Sequence, residues 1–210
     1  MHAEFWETRW QNREIGFHYD NVNPLLQKHF NQVDVPVNGS VFIPLCGKTG
    51  DMTWLHEQGF QVTGVELSQI AIQEYFQQRG VKPHVTQYGA FTEYSMPNMR
   101  LLQGDYFALP KPLMGPVDFV YDRASMIALP VPMRENYVEQ LKKHCKGATL
   151  LLLTYSFAVD PEHGPPFSIN EEQVKEVYPQ AEVLCNQASP DKRFLERGGR
   201  EHVFLIKLWC

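Results

Sequence analysis

A chain of 210 residues, 43% hydrophobic and 20% charged, suits one globular domain with a sizeable core. Its net charge of −5 and the absence of any Lys/Arg block argue against a nucleic-acid partner or an anionic membrane surface. There is no run of 18 apolar residues and no leader pattern at Met1-His2-Ala3-Glu4, so a cytoplasmic protein without a membrane span is expected.

Residues 3–13 place Trp6 and Trp10 on one helical face, with Phe5 beside them. Gly16-Phe17-His18-Tyr19-Asp20 breaks that pattern as a loop. Pro24 opens a second short helix carrying Leu25, Leu26 and Phe30. Asn38-Gly39 is a turn. Residues 1–38 are too few for a domain and read as a helical arm or lid on an α/β body spanning 39–210.

From Val41 strands and helices alternate. Val41 to Leu45 is the short apolar run of a buried parallel strand, followed by a turn holding Gly47 and Gly50. Asp51 falls at the start of the next helix, where a carboxylate suits the positive dipole end. Gln61 to Val65 is the second strand, and Glu66 lies at its end, 21 residues after Leu45. Ser68 caps a helix with Ala71, Ile72, Tyr75 and Phe76 on its buried stripe, stopped by Gly80. Residues 81–100 are less regular, with room for an extra strand.

Leu101 to Asp105 is the third strand and its exit, and Val117 to Asp122 the fourth. Pro130 to His144 is a helix that turns Tyr137, Val138 and Leu141 inward. Ala148 to Tyr155 is a continuous apolar strand, the expected sheet centre. A Pro/Gly loop from Asp160 to Ser168, a helix from Asn170 to Val177, a strand near 181–187, the Gly198-Gly199 turn and a strand from Glu201 to Trp209 complete the chain. The last two strands lack a helical crossover and are expected to form an antiparallel hairpin.

Together these elements predict a doubly wound α/β fold with a mostly parallel seven-stranded sheet, an antiparallel C-terminal hairpin and an N-terminal helical arm. The four cysteines, Cys46, Cys145, Cys185 and Cys210, contain no Cys-x-x-Cys pair. They read as small buried hydrophobes plus a terminal thiol, with neither zinc nor a disulfide framework.

The glycine turn discriminates among cofactors. Gly47-Lys48-Thr49 is preceded by Phe42 where a P-loop needs glycine, and Leu45-Cys46-Gly47-Lys48-Thr49-Gly50 fails the dinucleotide fingerprint. Diphosphate binding is therefore poorly supported, which disfavours a nicotinamide oxidoreductase. A carboxylate at Glu66, on the carboxyl edge of the sheet, suits the hydroxyls of a ribose. A nucleoside without phosphates, S-adenosylmethionine above all, fits that pattern.

Asp105 can take a hydrogen bond from an adenine amino group, or Tyr106 can offer its backbone N–H; a helix-capping Asp105 is the other reading. Arg123 can anchor a methionine carboxylate or reach the acceptor, and its structural alternative is an ion pair with Asp122. Trp10 and Phe17 can stack on a flat ligand or face a sulfonium cation. Trp6 reads as ordinary helix packing. His18, His29, His56 and His84 have no metal-site spacing and read as non-catalytic.

At these residues the chain resembles the thiopurine S-methyltransferase family, in its compact bacterial form. The resemblance is carried by Trp6-x-x-x-Trp10, Gly16-Phe17-His18, Phe42-Ile43-Pro44-Leu45-Cys46-Gly47-Lys48-x-x-Asp51-Met52, Val62-x-Gly64-Val65-Glu66-Leu67-Ser68, Ile72-Gln73-Glu74-Tyr75-Phe76 and Tyr121-Asp122-Arg123-Ala124. It implies a class I methyltransferase fold, S-adenosylmethionine as donor and a monomer. It also implies a small-molecule acceptor, an aromatic or heterocyclic thiol, and an association with selenium or tellurium detoxification.

By residue, the resemblance puts Trp10, Leu45, Glu66 and Arg123 at the donor and Asp105 and Tyr106 at its adenine. Phe17, Arg123 and Arg197 fall beside the acceptor. In-line transfer to an acidic thiol needs no dedicated general base, and none is assigned, nor any metal. A catalytically silent ligand-binding module on the same fold is the alternative function.

Overall fold

The computed structural model describes residues 3–158 and 164–209. Helices α1 (Ala3–Gln11) and α2 (Pro24–His29) precede the first strand, β1 (Ser40–Ile43). Then follow α3 (Gly50–Glu57), β2 (Gln61–Glu66), α4 (Gln69–Gln78), β3 (His84–Tyr88), β4 (Phe91–Met96) and β5 (Met99–Gln103). The second half runs through α5 (Lys111–Met114), β6 (Phe119–Arg123), α6 (Val131–His144), β7 (Thr149–Ser156), α7 (Glu171–Val177), β8 (Glu182–Ala188), α8 (Lys192–Leu195) and β9 (Arg200–Lys207). Of the loop expected from Asp160 to Ser168, residues 160–163 lie outside the described residues, as does the terminal thiol Cys210.

Side chains fix the helix starts. Asn23 accepts a hydrogen bond from the Leu25 N–H and Pro24 takes the first helical position of α2. Thr49 caps α3 through the Asp51 N–H, and Ser68 caps α4 through the Ala71 N–H. At α7, Asn170 and Gln173 cap each other reciprocally.

The strand order is β3-β4-β5-β2-β1-β6-β7-β9-β8. Strands β5, β2, β1, β6 and β7 are parallel, whereas β9 is antiparallel to both β7 and β8, as the missing crossover predicts. The sheet has nine strands rather than the expected seven. The difference is the stretch 81–100, where Gly89 at φ +61° turns β3 back on β4 and Asn98 at φ +59° turns β4 back on β5. In β3 most side chains are exposed, so no apolar alternation marked it.

The central strand is β1, with four strands on each side; β7, expected there, is interior. A continuous apolar run reports burial on both faces, not the position in a sheet. In β7, Leu150 and Leu152 enter the core on one face while Leu151 and Leu153 enter the other. Each such side chain, fully buried, stabilises the fold by roughly 1.5–3 kcal/mol. Because the strands next to β1 are parallel, Ile43, Glu66, Gln103 and Arg123 all end on one edge of the sheet.

Candidate active site

The turn after β1 is wound tightly. Leu45 and Gly47 both lie in the left-handed region, at φ +44° and +54°. For Leu45 that conformation is costly, and it persists because the turn is held from below. The Cys46 N–H donates to the Val65 carbonyl at 2.9 Å. The Gly47 N–H donates to Glu66 Oε2 at 2.8 Å, while the Ser68 N–H reaches Oε1 at 2.8 Å. A Cβ on Gly64 would stand 2.7 Å from Cys46 Sγ and 2.8 Å from Leu101 Cδ2, so glycine there lets the turn settle on the sheet.

Cys46 is thus a packing residue. Burial pushes its thiol well above the ordinary range, and the nearby Glu66 adds to that. Cys145 is likewise buried, its thiol pushed up to about 12 by desolvation.

Above this edge lies a cavity of about 370 Å³. Leu45, Gly47, Glu66, Asp105 and Tyr106 line one part of it, and Arg123, Tyr155 and Phe194 line another. The arm contributes Trp6, Trp10 and Phe17. Glu66 is buried, and desolvation raises its pKa, opposed by the backbone N–H groups of Ser68, Gly47 and Leu67. A carboxylate oxygen accepts at two positions. Gly47 and Ser68 each bond one Glu66 oxygen and the Leu67 N–H also bears on the carboxylate, so its four acceptor positions leave room for a ligand hydroxyl.

Asp105 caps the turn 106–108 by accepting from the Phe107 N–H at 2.9 Å, and still lines the cavity. The Tyr106 ring is enclosed: it stacks on Phe42, and its O–H donates to the Tyr137 carbonyl at 3.1 Å. What Tyr106 offers the cavity is therefore main chain.

Arg123 is not paired with Asp122. Its Nε donates to Asp51 Oδ2 at 3.0 Å and its Nη2 to Thr49 Oγ1 at 2.9 Å. Adjacent strand residues point to opposite faces, so Asp122 turns away and accepts from the Tyr137 O–H at 2.6 Å and the Ser125 N–H at 3.1 Å. Burial lowers the Arg123 pKa most, but Asp51 together with Tyr121 and Tyr155 outweighs it and the guanidinium pKa is raised. Asp51 also accepts from the Asn23 N–H, the Thr49 O–H and the Tyr121 O–H, so sequence reasoning undervalued it as a helix-start carboxylate. Next to Arg123, Ala124 sits at φ +70°, a second strained residue on the cavity wall.

The arm closes this site from above. Trp10 is buried, and its ring lies against Gly47. Phe17 packs edge-on against both Trp6 and Trp10, at 5.6 and 5.7 Å. Trp6 therefore does more than pack a helix face. A polar latch joins the arm to the C-terminal part: Arg193 donates to the Gly16 carbonyl and to Tyr19 Oη, and the Tyr19 O–H donates to Asp191 Oδ2 at 2.9 Å. On the other side Arg13 and Lys48 both pair with Glu74 of α4.

Arg197 stands apart. It is exposed in the turn after α8 and does not line the cavity, whereas Arg193, one helical turn earlier, does. The four-residue spacing between them left the sequence no means of choosing. His18 also lines the cavity, close to Lys48 and Arg123, which its lack of metal spacing concealed.

Solved structures share this architecture. A SAM-dependent methyltransferase from Anabaena variabilis superposes with a TM-score of 0.66 at 16% identity, covering 98% of this chain and 94% of that one. The 1,6-didemethyltoxoflavin-N1-methyltransferase of Burkholderia thailandensis, solved with S-adenosylhomocysteine, gives 0.65 at 14% identity over 99% and 87%. The fold is that of the class I S-adenosylmethionine-dependent methyltransferases.

The family model described as thiopurine S-methyltransferase matches residues 1–202. Relatives of that name include one from Xanthobacter autotrophicus, 44% identical over 85% of this chain and 84% of its own length. Another, from Pseudomonas paraeruginosa, is 41% identical over 99% of both chains. The chain belongs to the thiopurine S-methyltransferase family, and it is an enzyme that uses S-adenosylmethionine as methyl donor.

Proposed function

We propose that the chain methylates the sulfur of an aromatic or heterocyclic thiol, acting as a monomer in the cytoplasm. The observation that carries this reading is that a buried carboxylate, Glu66, and a nearly buried guanidinium, Arg123, line one cavity to which Trp6, Trp10, Phe17, Tyr155 and Phe194 contribute aromatic rings. The name of the relatives points to the same acceptor class.

When bound, the donor supplies a methyl group already activated by a cationic sulfur. Glu66 accepts from the ribose hydroxyls at the acceptor capacity its backbone N–H partners leave open. Asp105 and the Tyr106 main chain meet the adenine, and Leu45 packs against the nucleoside. Trp10 presents an aromatic face to the cationic end.

On the acceptor side, Phe17 and Tyr155 exclude water from a flat ring, and Arg123 favours its anionic form. Within hydrogen-bond reach of Asp51 and Thr49, Arg123 keeps Nη1 outside those bonds. From the C-terminal segment Arg193, rather than Arg197, is the cation nearest the acceptor. Positioning and desolvation supply most of the acceleration. Selenols and reduced tellurium compounds, softer and more acidic than thiols, suit the same arrangement.

The test is transfer of labelled methyl from S-adenosylmethionine to an aryl thiol by the purified chain, with reduced selenium and tellurium compounds alongside. Donor-product binding without transfer to any of them would leave a silent binding module.

A further inference from the structure

We propose that His18 is a catalytic residue, the proton acceptor for thiols that enter the site un-ionised, with Asp20 holding its tautomer. The proposal rests on the thiol reading above and extends it to acceptors less acidic than heterocyclic thiols.

His18 lies in the loop between α1 and α2, where its backbone N–H donates to the Ile15 carbonyl at 2.8 Å. The side chain is 9% exposed and faces the cavity. Nε2 stands 2.8 Å from Asp20 Oδ1. An ionised carboxylate only accepts, so Nε2 carries the proton and Nδ1 holds the lone pair. Nδ1 has no hydrogen-bond partner among the described residues. A carboxylate orienting an imidazole whose other nitrogen is open to a nucleophile is the arrangement that activates hydroxyls and thiols elsewhere. Here the nucleophile belongs to the acceptor.

The charged groups facing the ring are Asp20 from its own loop, Lys48 from the turn after β1 and Arg123 from the end of β6. Burial lowers the His18 pKa most, Lys48 and Arg123 lower it further, and Asp20 pulls the other way; the net direction is down. The imidazole is therefore neutral at neutral pH, the form able to take a proton.

In the step itself the acceptor S–H bond breaks and its proton moves to Nδ1. The sulfur electron pair forms the new S–CH3 bond as the methyl leaves the donor sulfur, which keeps the electrons of the broken bond as S-adenosylhomocysteine. The imidazolium then returns its proton to water.

The experiment compares two acceptors from about pH 5 to about pH 9 with the full chain. One is an electron-poor aryl thiol, ionised over most of that range; the other is an arylmethyl thiol, protonated over most of it. For His18→Gln the ratio of the two turnover rates is expected to shift against the arylmethyl thiol by about tenfold or more. The acid limb of its profile, set by His18, should vanish. Asp20→Asn, a change at an exposed side chain, should move that limb to lower pH, because Asp20 raises the His18 pKa.

Equal losses on both thiols, or an acid limb unmoved by either substitution, overturn the proposal while leaving the thiol reading intact. Wild-type chain that binds S-adenosylhomocysteine yet methylates neither thiol overturns the thiol reading, and this one with it.

Discussion

Arg123 and Asp51 form an ion pair in which the carboxylate is fully buried and the guanidinium is 7% exposed, with Nε and Oδ2 3.0 Å apart. Removing one member leaves the other charged and unpaired, which costs about 3–5 kcal/mol for a buried pair. Asp51→Ala is expected near the lower end, since Arg123 borders the cavity and water can reach it. Urea unfolding measures the loss. The double variant Asp51→Ala/Arg123→Ala should be less destabilised than the sum of the single ones, because the second change removes the stranded charge. Strict additivity would show that the pair is not an energetic unit.

Glu66 carries the donor prediction. Its oxygens accept from Gly47 and Ser68, so Glu66→Gln replaces one acceptor by an N–H that faces another donor. Hydrogen bonds to charged groups contribute about 1.5–3 kcal/mol, so affinity for S-adenosylhomocysteine should fall roughly tenfold to hundredfold. Calorimetric titration reads this directly. An unchanged dissociation constant removes Glu66 from the ribose.

Much of this arrangement was legible in the chain. The alternation of strands and helices along the chain, the edge on which Glu66 and Arg123 meet and the reversal at the C-terminus follow from local pattern and from connection length, whereas the place of each strand in the sheet does not, since the apolar run of β7 marked burial and not the centre. The hairpin of β3 and β4 escaped because an exposed edge strand carries no apolar signature. The partner of Arg123 escaped for a different reason. Asp122 is adjacent in sequence, but the strand's pleat sends it to the other face, while Asp51 is 72 residues distant and arrives only when β1 and β6 pair. Arg193 reaches the arm across 177 residues, a contact that no spacing rule anticipates.

That latch sets a pH dependence. Asp191 is held down to about 2, chiefly by its hydrogen bond with Arg193, against an ordinary value of 3.8. Because the folded value is depressed, the stabilisation is fully present above the unfolded pKa and is lost as pH falls from there through about 2. Trp6 and Trp10 report closure of the arm, so their fluorescence should change over that window. In Asp191→Asn the acid-dependent component should be missing and the arm looser already at neutral pH. A fluorescence transition identical in both chains would separate the latch from Asp191.

Gly50 offers the sharpest separation between folding and function. It opens α3 with no positive φ, so alanine suits its backbone and by helix propensity alone would favour the helix by as much as about 1 kcal/mol. A Cβ there, however, would be driven into the Asp20 carbonyl and stand 3.1 Å from the Asn21 carbonyl carbon. Main chain cannot yield as a flexible side chain does. The loop must move, carrying with it the Tyr19 carbonyl that accepts from the Gly50 N–H and the Asn23 N–H that reaches Asp51. Gly50→Ala should therefore lower turnover and raise the acceptor KM several-fold, with the thermal midpoint little changed, and should speed proteolysis between α1 and α2. Gly80→Ala is the counterpart: nothing lies within 4 Å of its Cβ, but its φ of +64° costs an L residue about 1–2 kcal/mol. It should lower the midpoint and leave kinetics alone. If the two variants behave alike, the arm's loop is not what couples the start of α3 to the reaction.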